Sequence, residues 1–170
     1  MNLDIDVIMR GLANFRPMGM RQNIYNIGKL TVIEDCYNAS PESMRAAIKV
    51  LRSINKQGGR MSALLGDMYE LGSSSELFHE QVGLDFARNG GSMLFTFGEN
   101  ANGIAHGAIL GGVATENIFL NPDIRNPELS GEMLLHSLRA GDTLLVKASR
   151  GAAAERVLTY LKENADRLCK

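Results

Sequence analysis

Cysteine is scarce in this chain, and its two cysteines fit neither a disulfide framework nor a metal site. Cys36 and Cys169 are far apart in a sequence of 170 residues. Closely spaced cysteines mark small secreted domains and zinc sites, so their absence predicts free thiols in a reducing cytoplasm. The three histidines, His79, His106 and His136, are equally scattered. Their spacing disfavours a histidine metal cluster, and each is predicted to be a packing or helix-surface residue.

Excess charge and long hydrophobic runs are also missing. The chain has 18 basic and 19 acidic residues and a net charge of -1. This balance gives no electrostatic case for binding nucleic acid or an anionic membrane, so any anionic ligand must be held by local groups. No stretch is long and apolar enough for a transmembrane helix, and the N-terminus lacks the basic start of a signal peptide. The sequence therefore predicts a soluble, cytoplasmic protein.

Three familiar site motifs are absent as well. There is no Gly-x-x-x-x-Gly-Lys-Ser/Thr loop, so no P-loop grips a triphosphate within this sequence. The lack of Gly-x-Gly-x-x-Gly counts against a dinucleotide-binding domain. His79-Glu80 has no second histidine four residues after the first, which excludes the zincin motif.

What is present is a regular alternation of short apolar runs and amphipathic patterns. The predicted strands cover residues 30–33, 61–65, 93–97, 117–120 and 143–146, and the predicted helices cover 41–54, 73–88, 100–110, 127–138 and 152–161. Ser73 and Glu76 have the spacing of a capping box, which predicts the start of the second helix. Such alternation predicts an α/β fold, a Rossmann-like three-layer domain with a mainly parallel sheet and helices on both faces. Residues 24–26, before the turn at Gly28, predict an added antiparallel edge strand.

The first 20 residues predict a lead-in helix and linker. Val7, Leu12 and Phe15 contribute to an amphipathic pattern, and Pro17 and Gly19 then interrupt the chain. We therefore expect residues 1–20 to precede the domain proper, which spans residues 21–170.

One junction has the composition of a ligand-binding turn. Asp35 to Pro41 follows an apolar strand, and Ser40 with Pro41 predicts the N-cap and first position of a helix. A carboxylate, an amide and free helix N–H groups would then meet at the carboxyl end of a strand, where open α/β sheets bind ligands. A capped turn that serves stability alone is the alternative.

Two further polar loops follow other predicted strands. They comprise residues 66–72, with Asp67 and Glu70, and residues 147–151, with Lys147 and Arg150. Because parallel strands end at the same edge of a sheet, these loops and Asp35 are expected to line one cleft. Asp35 suits a vicinal diol such as ribose, the basic pair suits a carboxylate or phosphate, and the acidic pair suits an ammonium group. Solvated surface loops are the alternative for the last two.

Five segments together resemble the C-terminal domain of the Mur ligases. They are Gly-Met-Arg-Gln at 19–22, Glu-Asp-Cys-Tyr-Asn-Ala-Ser-Pro-Glu-Ser-Met at 34–44, Leu-Gly-Asp-Met-Tyr-Glu-Leu-Gly at 65–72, His-Glu-Gln-Val-Gly at 79–83 and Leu-Val-Lys-Ala-Ser-Arg at 145–150. The resemblance covers about residues 8 to 161. The joint occurrence of these segments in this order is far more specific than any one of them.

The resemblance implies an ATP-dependent, amide-forming ligase of three domains, acting in peptidoglycan synthesis. In that family a central domain carries the P-loop and holds ATP and Mg²⁺, and an N-terminal domain grips the UDP-sugar. A carboxylate is phosphorylated to an acyl phosphate, which an amine then attacks. The motifs are most similar to those of the member that joins D-alanyl-D-alanine to UDP-N-acetylmuramoyl-tripeptide. The chain would then be the third domain plus a short piece of the central one, residues 1–20, and it would be inactive alone and without catalytic or metal-binding residues of its own.

The resemblance also implies roles for individual residues. The nucleotide-binding residues would be Arg21, Asp35 and Asn38, with Asp35 on the ribose. The residues that bind the incoming dipeptide would be Lys147, Ser149, Arg150, Asp67 and Glu70, with the basic groups facing its carboxylate. Many relatives have glycine where this chain has Ala148. If that backbone needs a positive φ, alanine would be strained there.

Two other functions stay open at this point. One is a folylpolyglutamate synthase-like ligase domain, which would share the fold. The other is a non-enzymatic α/β module that binds a small metabolite in the same cleft. The segments 37–41 and 67–72 favour the ligase that adds D-alanyl-D-alanine.

Overall fold

A mixed sheet between two layers of helices forms the fold, which we describe from a computed structural model for residues 4–13, 19–55 and 58–168. The strands are β1 Asn23–Ile27, β2 Leu30–Glu34, β3 Met61–Gly66, β4 Met93–Phe97, β5 Ile118–Asn121 and β6 Thr143–Lys147. The helices are α1 Ile5–Ala13, α2 Pro41–Ile54, α3 Ser75–Arg88, α4 Ala101–Leu110, α5 Pro127–Ser137 and α6 Glu155–Glu163.

The sheet has the strand order β1-β2-β6-β3-β4-β5. All neighbouring pairs are parallel except β1 and β2, which form an antiparallel hairpin. The predicted fold class, including the antiparallel edge strand, is confirmed. The last strand in sequence, β6, lies between β2 and β3, and this order brings the carboxyl ends of β2, β6 and β3 side by side.

Each face of the sheet is covered by its own helices. On one face α2, α3 and α4 enclose a core, and on the other α5 and α6 enclose a second core. In α2, Met44, Ala47, Ile48 and Leu51 are buried, a spacing that places them on one side of a helix. Burial of side chains such as Met44 and Leu51 stabilises the fold by about 1.5–3 kcal/mol each.

Helix α2 begins as the sequence predicts. Ser40 is the N-cap, its hydroxyl accepts the Ser43 N–H, and Pro41 occupies the first turn. The Ser43 hydroxyl in turn accepts the Ser40 N–H at 2.9 Å, which completes a capping box. The expected start of the next helix, with Ser73 capping Glu76, is wrong. Residues 72–74 form a 3-10 turn, and α3 starts at Ser75.

The N-terminal segment and the thiols are described in part. Helix α1 lies where a lead-in helix is expected, whereas residues 14–18 of the expected linker, including Pro17, are outside the described residues. Cys36 is a buried free thiol, and burial raises its pKa to about 12; Cys169 is outside the described residues. None of the helices in the described part of the chain is long and apolar enough to cross a membrane.

Candidate nucleotide- and substrate-binding site

The three polar loops meet at the carboxyl edge of the sheet. Glu34 of β2 is in register with Val146 of β6, and Leu65 of β3 is in register with Lys147. The Asp35 N–H continues the ladder by donating to the Val146 carbonyl at 2.9 Å. The loops after β2, β6 and β3 therefore leave the sheet as direct neighbours, as expected from parallel strands.

Lys147 points into the protein, towards the loop after β2. Its side chain is 2% exposed, and its ammonium donates to the Asp35 carboxylate at 2.8 Å and to the Asn38 carbonyl at 2.9 Å. The Asp35 carbonyl lies 3.4 Å away. All three ammonium protons thus have acceptors within the protein. Lys147 therefore links β6 to the loop after β2. The predicted contact with the dipeptide would require its side chain to face outward, which it does not.

Asp35 and Asn38 differ in what they offer a ligand. The second carboxylate oxygen of Asp35 accepts the Gln22 N–H at 3.3 Å, and the Asp35 side chain is 10% exposed. Asn38 is exposed, and its side-chain Oδ1 accepts the Ala39 N–H at 2.9 Å. That bond orients the Asn38 amide while leaving its NH₂ group to donate to a ligand.

Ser149 joins the loops after β6 and β3. Its N–H donates to the Asp67 carbonyl at 2.9 Å, and its hydroxyl accepts the Tyr69 N–H at 3.1 Å. Ala148, one residue earlier, is fully buried and is not among the residues with positive φ, so the strain considered for alanine there does not arise. The methyl group of Ala148 fits beside Gly66, where a Cβ would lie only 2.7 Å from it.

Asp67 binds Asn100, the residue directly before α4. Its carboxylate accepts the Asn100 N–H at 3.0 Å and the Asn100 side-chain amide at 3.3 Å. Gly98 has φ +121, and a Cβ there would lie 2.4 Å from the Asp67 carboxyl carbon, so only glycine lets the carboxylate approach so closely. Burial raises the pKa of Asp67, and the bonds from Asn100 partly offset this effect.

His79 supports the loop after β3 through a hydrogen bond to its backbone, a role that sequence reasoning missed. The ring is fully buried; Nε2 accepts the Met68 N–H at 3.0 Å, and Nδ1 lies 2.7 Å from the Ser75 carbonyl oxygen. A neutral ring with its proton on Nδ1 satisfies both contacts. The other histidines have separate partners, Glu80 for His106 and Glu132 for His136. The motif around His79 was visible in the sequence, but its contact with the preceding loop was not.

Arg21, Arg150 and Glu70 lie on the exposed side of this edge. The guanidinium groups of Arg21 and Arg150 both lie over the ring of Tyr37, although the sequence assigned them to different ligands. Glu70 is exposed and has φ +64, whereas Asp67 is buried. The structure therefore groups Arg21 with Arg150, and it buries Asp67 while leaving Glu70 exposed.

A cavity of about 670 Å³ opens beside Asp67 and Tyr69. Its wall includes Glu99 after β4, and Asp123 and Arg125 after β5. Arg125 donates to Asp123 at 2.9 Å and lowers the pKa of that carboxyl. Sequence reasoning missed these cavity residues because it considered the loops after only three strands. The same rule applied to β4 and β5 would have found them.

Comparisons with known sequences identify related enzymes. Residues 20–150 match the family model described as "Mur ligase, glutamate ligase domain". The UDP-N-acetylmuramoyl-tripeptide–D-alanyl-D-alanine ligase of Bacillus subtilis (strain 168) is 33% identical over 160 residues, covering 91% of this chain and 33% of that enzyme. The enzyme of the same name from Escherichia coli (strain K12) is 32% identical over 161 residues, covering 94% of this chain and 33% of that enzyme.

Solved structures give the same answer for the fold. MurF ligase from Thermotoga maritima, in complex with ADP, superposes with a TM-score of 0.73 at 26% identity, covering 95% of this chain and 36% of that one. MurF from Acinetobacter baumannii superposes with a TM-score of 0.77 at 25% identity, covering 95% and 34%. The chain spans about a third of the length of the curated relatives it matches. By its matching family model and its identity to these ligases, this chain belongs to the Mur ligase family.

Proposed function

We propose that this chain is the C-terminal substrate-binding domain of an ATP-dependent ligase that joins D-alanyl-D-alanine to UDP-N-acetylmuramoyl-tripeptide through an acyl phosphate. One observation carries the proposal. The loops after β2, β3 and β6 carry the Mur ligase motifs, and hydrogen bonds of Lys147 and Ser149 join them into one polar edge. The task of this domain in the reaction is to position substrates and to stabilise charge when the domain closes over the nucleotide.

Arg21, Asp35 and Asn38 are the residues proposed to meet ATP. Arg21 and Asn38 are exposed, so a guanidinium and an amide NH₂ are free to donate to the nucleotide. Asp35 is largely buried and has both oxygens engaged, so a ribose hydroxyl would use a remaining lone pair. The triphosphate and Mg²⁺ would be held mainly by the domain that carries the P-loop, and ATP would supply the phosphoryl group that activates the tripeptide carboxylate.

The cavity beside Asp67 is proposed to receive the dipeptide. Its wall carries the carboxyl groups of Asp67, Glu99 and Asp123, which attract the ammonium end of a dipeptide, and the Arg125 guanidinium, which suits its carboxylate. Among the residues expected from sequence, Asp67 lines this cavity, and Ser149 supports it through the Tyr69 N–H. The inward direction of Lys147 supports a structural role in place of the proposed dipeptide contact.

The division of the chain follows the same proposal. Residues 1–20 would lead in from the central domain, and residues 21–170 would form the C-terminal domain, in a cytoplasmic enzyme. Because the sequence has no P-loop, the chain by itself would not hold ATP tightly. Calorimetry of ATP against the 170-residue chain should give no binding in the submicromolar range. Submicromolar affinity would contradict a triphosphate site on another domain.

The amine substrate is tested with the full-length ligase that contains this domain. Phosphate release from ATP in the presence of UDP-N-acetylmuramoyl-tripeptide should require D-alanyl-D-alanine. Glutamate is the matched control, because it also presents an amine and would be the substrate of a folylpolyglutamate synthase-like enzyme. Phosphate release with glutamate but not with D-alanyl-D-alanine would overturn the dipeptide assignment. If neither amine causes phosphate release, a binding module is favoured.

A further inference from the structure

Arg21, Tyr37 and Arg150 come from three segments of the chain and meet in one exposed cluster. The guanidinium carbon of Arg21 lies 4.1 Å from the centre of the Tyr37 ring, and that of Arg150 lies 5.2 Å from the same centre. Tyr37 is 37% exposed, and both arginines are exposed. Two positive charges are therefore held around one aromatic ring at the carboxyl edge of the sheet, within reach of a ligand.

In residues 4–13, 19–55 and 58–168, no carboxylate forms a salt bridge with either of these two arginines. Salt bridges in the described part of the chain engage four others: Arg45, Arg60, Arg125 and Arg167. Arg21 and Arg150 form none within the same ranges. Asp35, two residues before Tyr37, is already paired with Lys147. The cluster therefore keeps its positive charge for a partner that is not part of this domain.

The backbone fixes the cluster in place. The Tyr37 N–H donates to the Met20 carbonyl at 3.2 Å, directly before Arg21, and the Gln22 N–H donates to the Asp35 carboxylate at 3.3 Å. Gln22 has φ +49, a conformation that side-chain-bearing residues seldom adopt. The segment that carries Arg21 is thus held in a strained form by hydrogen bonds to the loop that carries Tyr37.

The same kind of strain recurs beside the other loops of this edge. In the part of the chain that the structure describes, the non-glycine residues with positive φ are Gln22, Glu70 at +64 and Ala153 at +52. Glu70 lies in the loop after β3, and Ala153 ends the turn that begins at Arg150. Strained backbone of this kind concentrates where a protein holds groups ready for a ligand.

We propose that Arg21 and Arg150, with Tyr37 as the platform that holds them, form one binding site for a phosphate group. This inference rests on the proposed function, in which the domain meets both a nucleotide and an acyl phosphate. A guanidinium presents two parallel N–H donors that match phosphate oxygens, and two guanidiniums match the charge of a phosphate better than that of a single carboxylate. The cluster thus assigns Arg150 to the phosphate and not to the carboxylate of the dipeptide.

The test is a titration of the ¹⁵N-labelled 170-residue chain, followed at the arginine Nε–H resonances by NMR. The phosphate probes are inorganic triphosphate, for the nucleotide, and acetyl phosphate, for the acyl phosphate. We expect at least one of them to shift the resonances of both Arg21 and Arg150. The probe that does so tells whether the phosphate belongs to the nucleotide or to the acyl phosphate. Arg150→Ala and Arg21→Ala should each weaken its binding about fivefold or more, because each removes charge-assisted hydrogen bonds. Tyr37→Ala should weaken binding with the charge unchanged, and Tyr37→Phe should retain it.

Arg156→Ala is the matched control, since it removes the same charge from an exposed position on α6 and should change the affinity less than twofold. Circular dichroism confirms that each variant is folded. The proposal is overturned if both phosphates leave Arg150 unshifted, or if D-alanyl-D-alanine or acetate shifts it more strongly. Loss of this site while the full-length ligase still requires D-alanyl-D-alanine would refute only the phosphate site. If the arginines bind phosphate but the full-length ligase does not require D-alanyl-D-alanine, only the proposed amine substrate is refuted.

Discussion

A lysine ammonium and a carboxylate are buried together where Lys147 meets Asp35, and each depends on the other. Withdrawal of two charges from water costs several kcal/mol per ion, which attraction and further hydrogen bonds must offset. The Asn38 carbonyl and the Gln22 N–H supply such bonds. The pair therefore fixes the shape of the loop after β2 before any ligand arrives.

Lys147→Met should lower the free energy of unfolding by about 3–5 kcal/mol, because it leaves the Asp35 carboxylate buried without its cation. The double variant Lys147→Met/Asp35→Leu should recover most of that loss, since no charge is then stranded. Urea unfolding at neutral pH measures both. A single variant within about 0.5 kcal/mol of the wild type would show that the pair contributes little.

Asp67 should make stability fall as the pH rises. Burial raises its folded pKa above the unfolded value of about 3.9, so the folded state binds more protons between the two values. The free energy of unfolding should therefore decrease across that interval more steeply in the wild type than in Asp67→Asn. Urea unfolding from pH 3.5 upward compares the two. If the stability of the wild type relative to Asp67→Asn instead increases with pH, the hydrogen bonds from Asn100 lower the Asp67 pKa by more than burial raises it.

Sequence reasoning located the site loops but not the direction of each side chain. The N-cap Ser40 and the position of Asp35 directly after β2 were predictable, because an N-cap and a strand end are local features. The inward turn of Lys147 depends on β2 being the neighbour of β6, which is a long-range pairing. No local pattern in residues 143–151 contains that information.

Helices α3 and α4 pack unusually closely, and glycine makes the contact possible. A Cβ at Gly83 would lie 1.9 Å from the Ile104 carbonyl oxygen and 2.6 Å from the Ala108 nitrogen. A Cβ at Gly107 would lie 1.9 Å from the Glu80 carbonyl oxygen. The two helices therefore touch through their backbones, and their separation has little tolerance.

Gly83→Ala should lower the free energy of unfolding by about 1–3 kcal/mol, because the methyl group forces the helices apart. The loss should appear although alanine favours a helix over glycine by about 1 kcal/mol. Asn102→Ala, at an exposed position of α4, is the control and should be nearly neutral. Thermal unfolding of both variants is the measurement. A stabilised Gly83→Ala protein would show that the helices can separate freely.

The secondary-structure elements were largely predictable, whereas their order in the sheet was not. Strand and helix periodicities gave β3, β4 and α2 within a residue or two. The start of α3 was misplaced because Glu70 and Gly72, both with positive φ, turn the chain into a 3-10 turn that contains Ser73. A capping motif in the sequence does not reveal such a turn.

The amino edge of the sheet, opposite the site, has its own buried charge. Asp142, 2% exposed, accepts the Arg60 N–H at 3.1 Å, the Arg60 guanidinium at 2.6 Å and the Arg139 N–H at 2.8 Å. These bonds join the starts of β3 and β6. The molecule thus places a structural ion pair at one end of its strands and its candidate site at the other.

Asp142→Ala should lower the free energy of unfolding by about 3–5 kcal/mol, because it leaves the Arg60 guanidinium partly buried without its carboxylate. The folded fraction should bind triphosphate as the wild type does, since the substitution lies at the far edge. Asp166→Ala, at an exposed position, controls for the loss of a negative charge. Denaturant unfolding measures the loss of stability, and the NMR titration measures the binding of triphosphate. Weaker triphosphate binding by the folded variant would show that the two edges are coupled.

The strand order also dictates when the protein can fold as it leaves the ribosome. Strands β2 and β3 are synthesised early, yet each has an open hydrogen-bonding edge until β6, more than 75 residues after β3, is added between them. Nascent chains that lack residues 143–147 hold two separate sheet fragments with exposed edges, which are prone to pair with other chains. Lys147 and Ser149 arrive with that last strand, so the candidate site cannot be complete before β6 takes its place in the sheet.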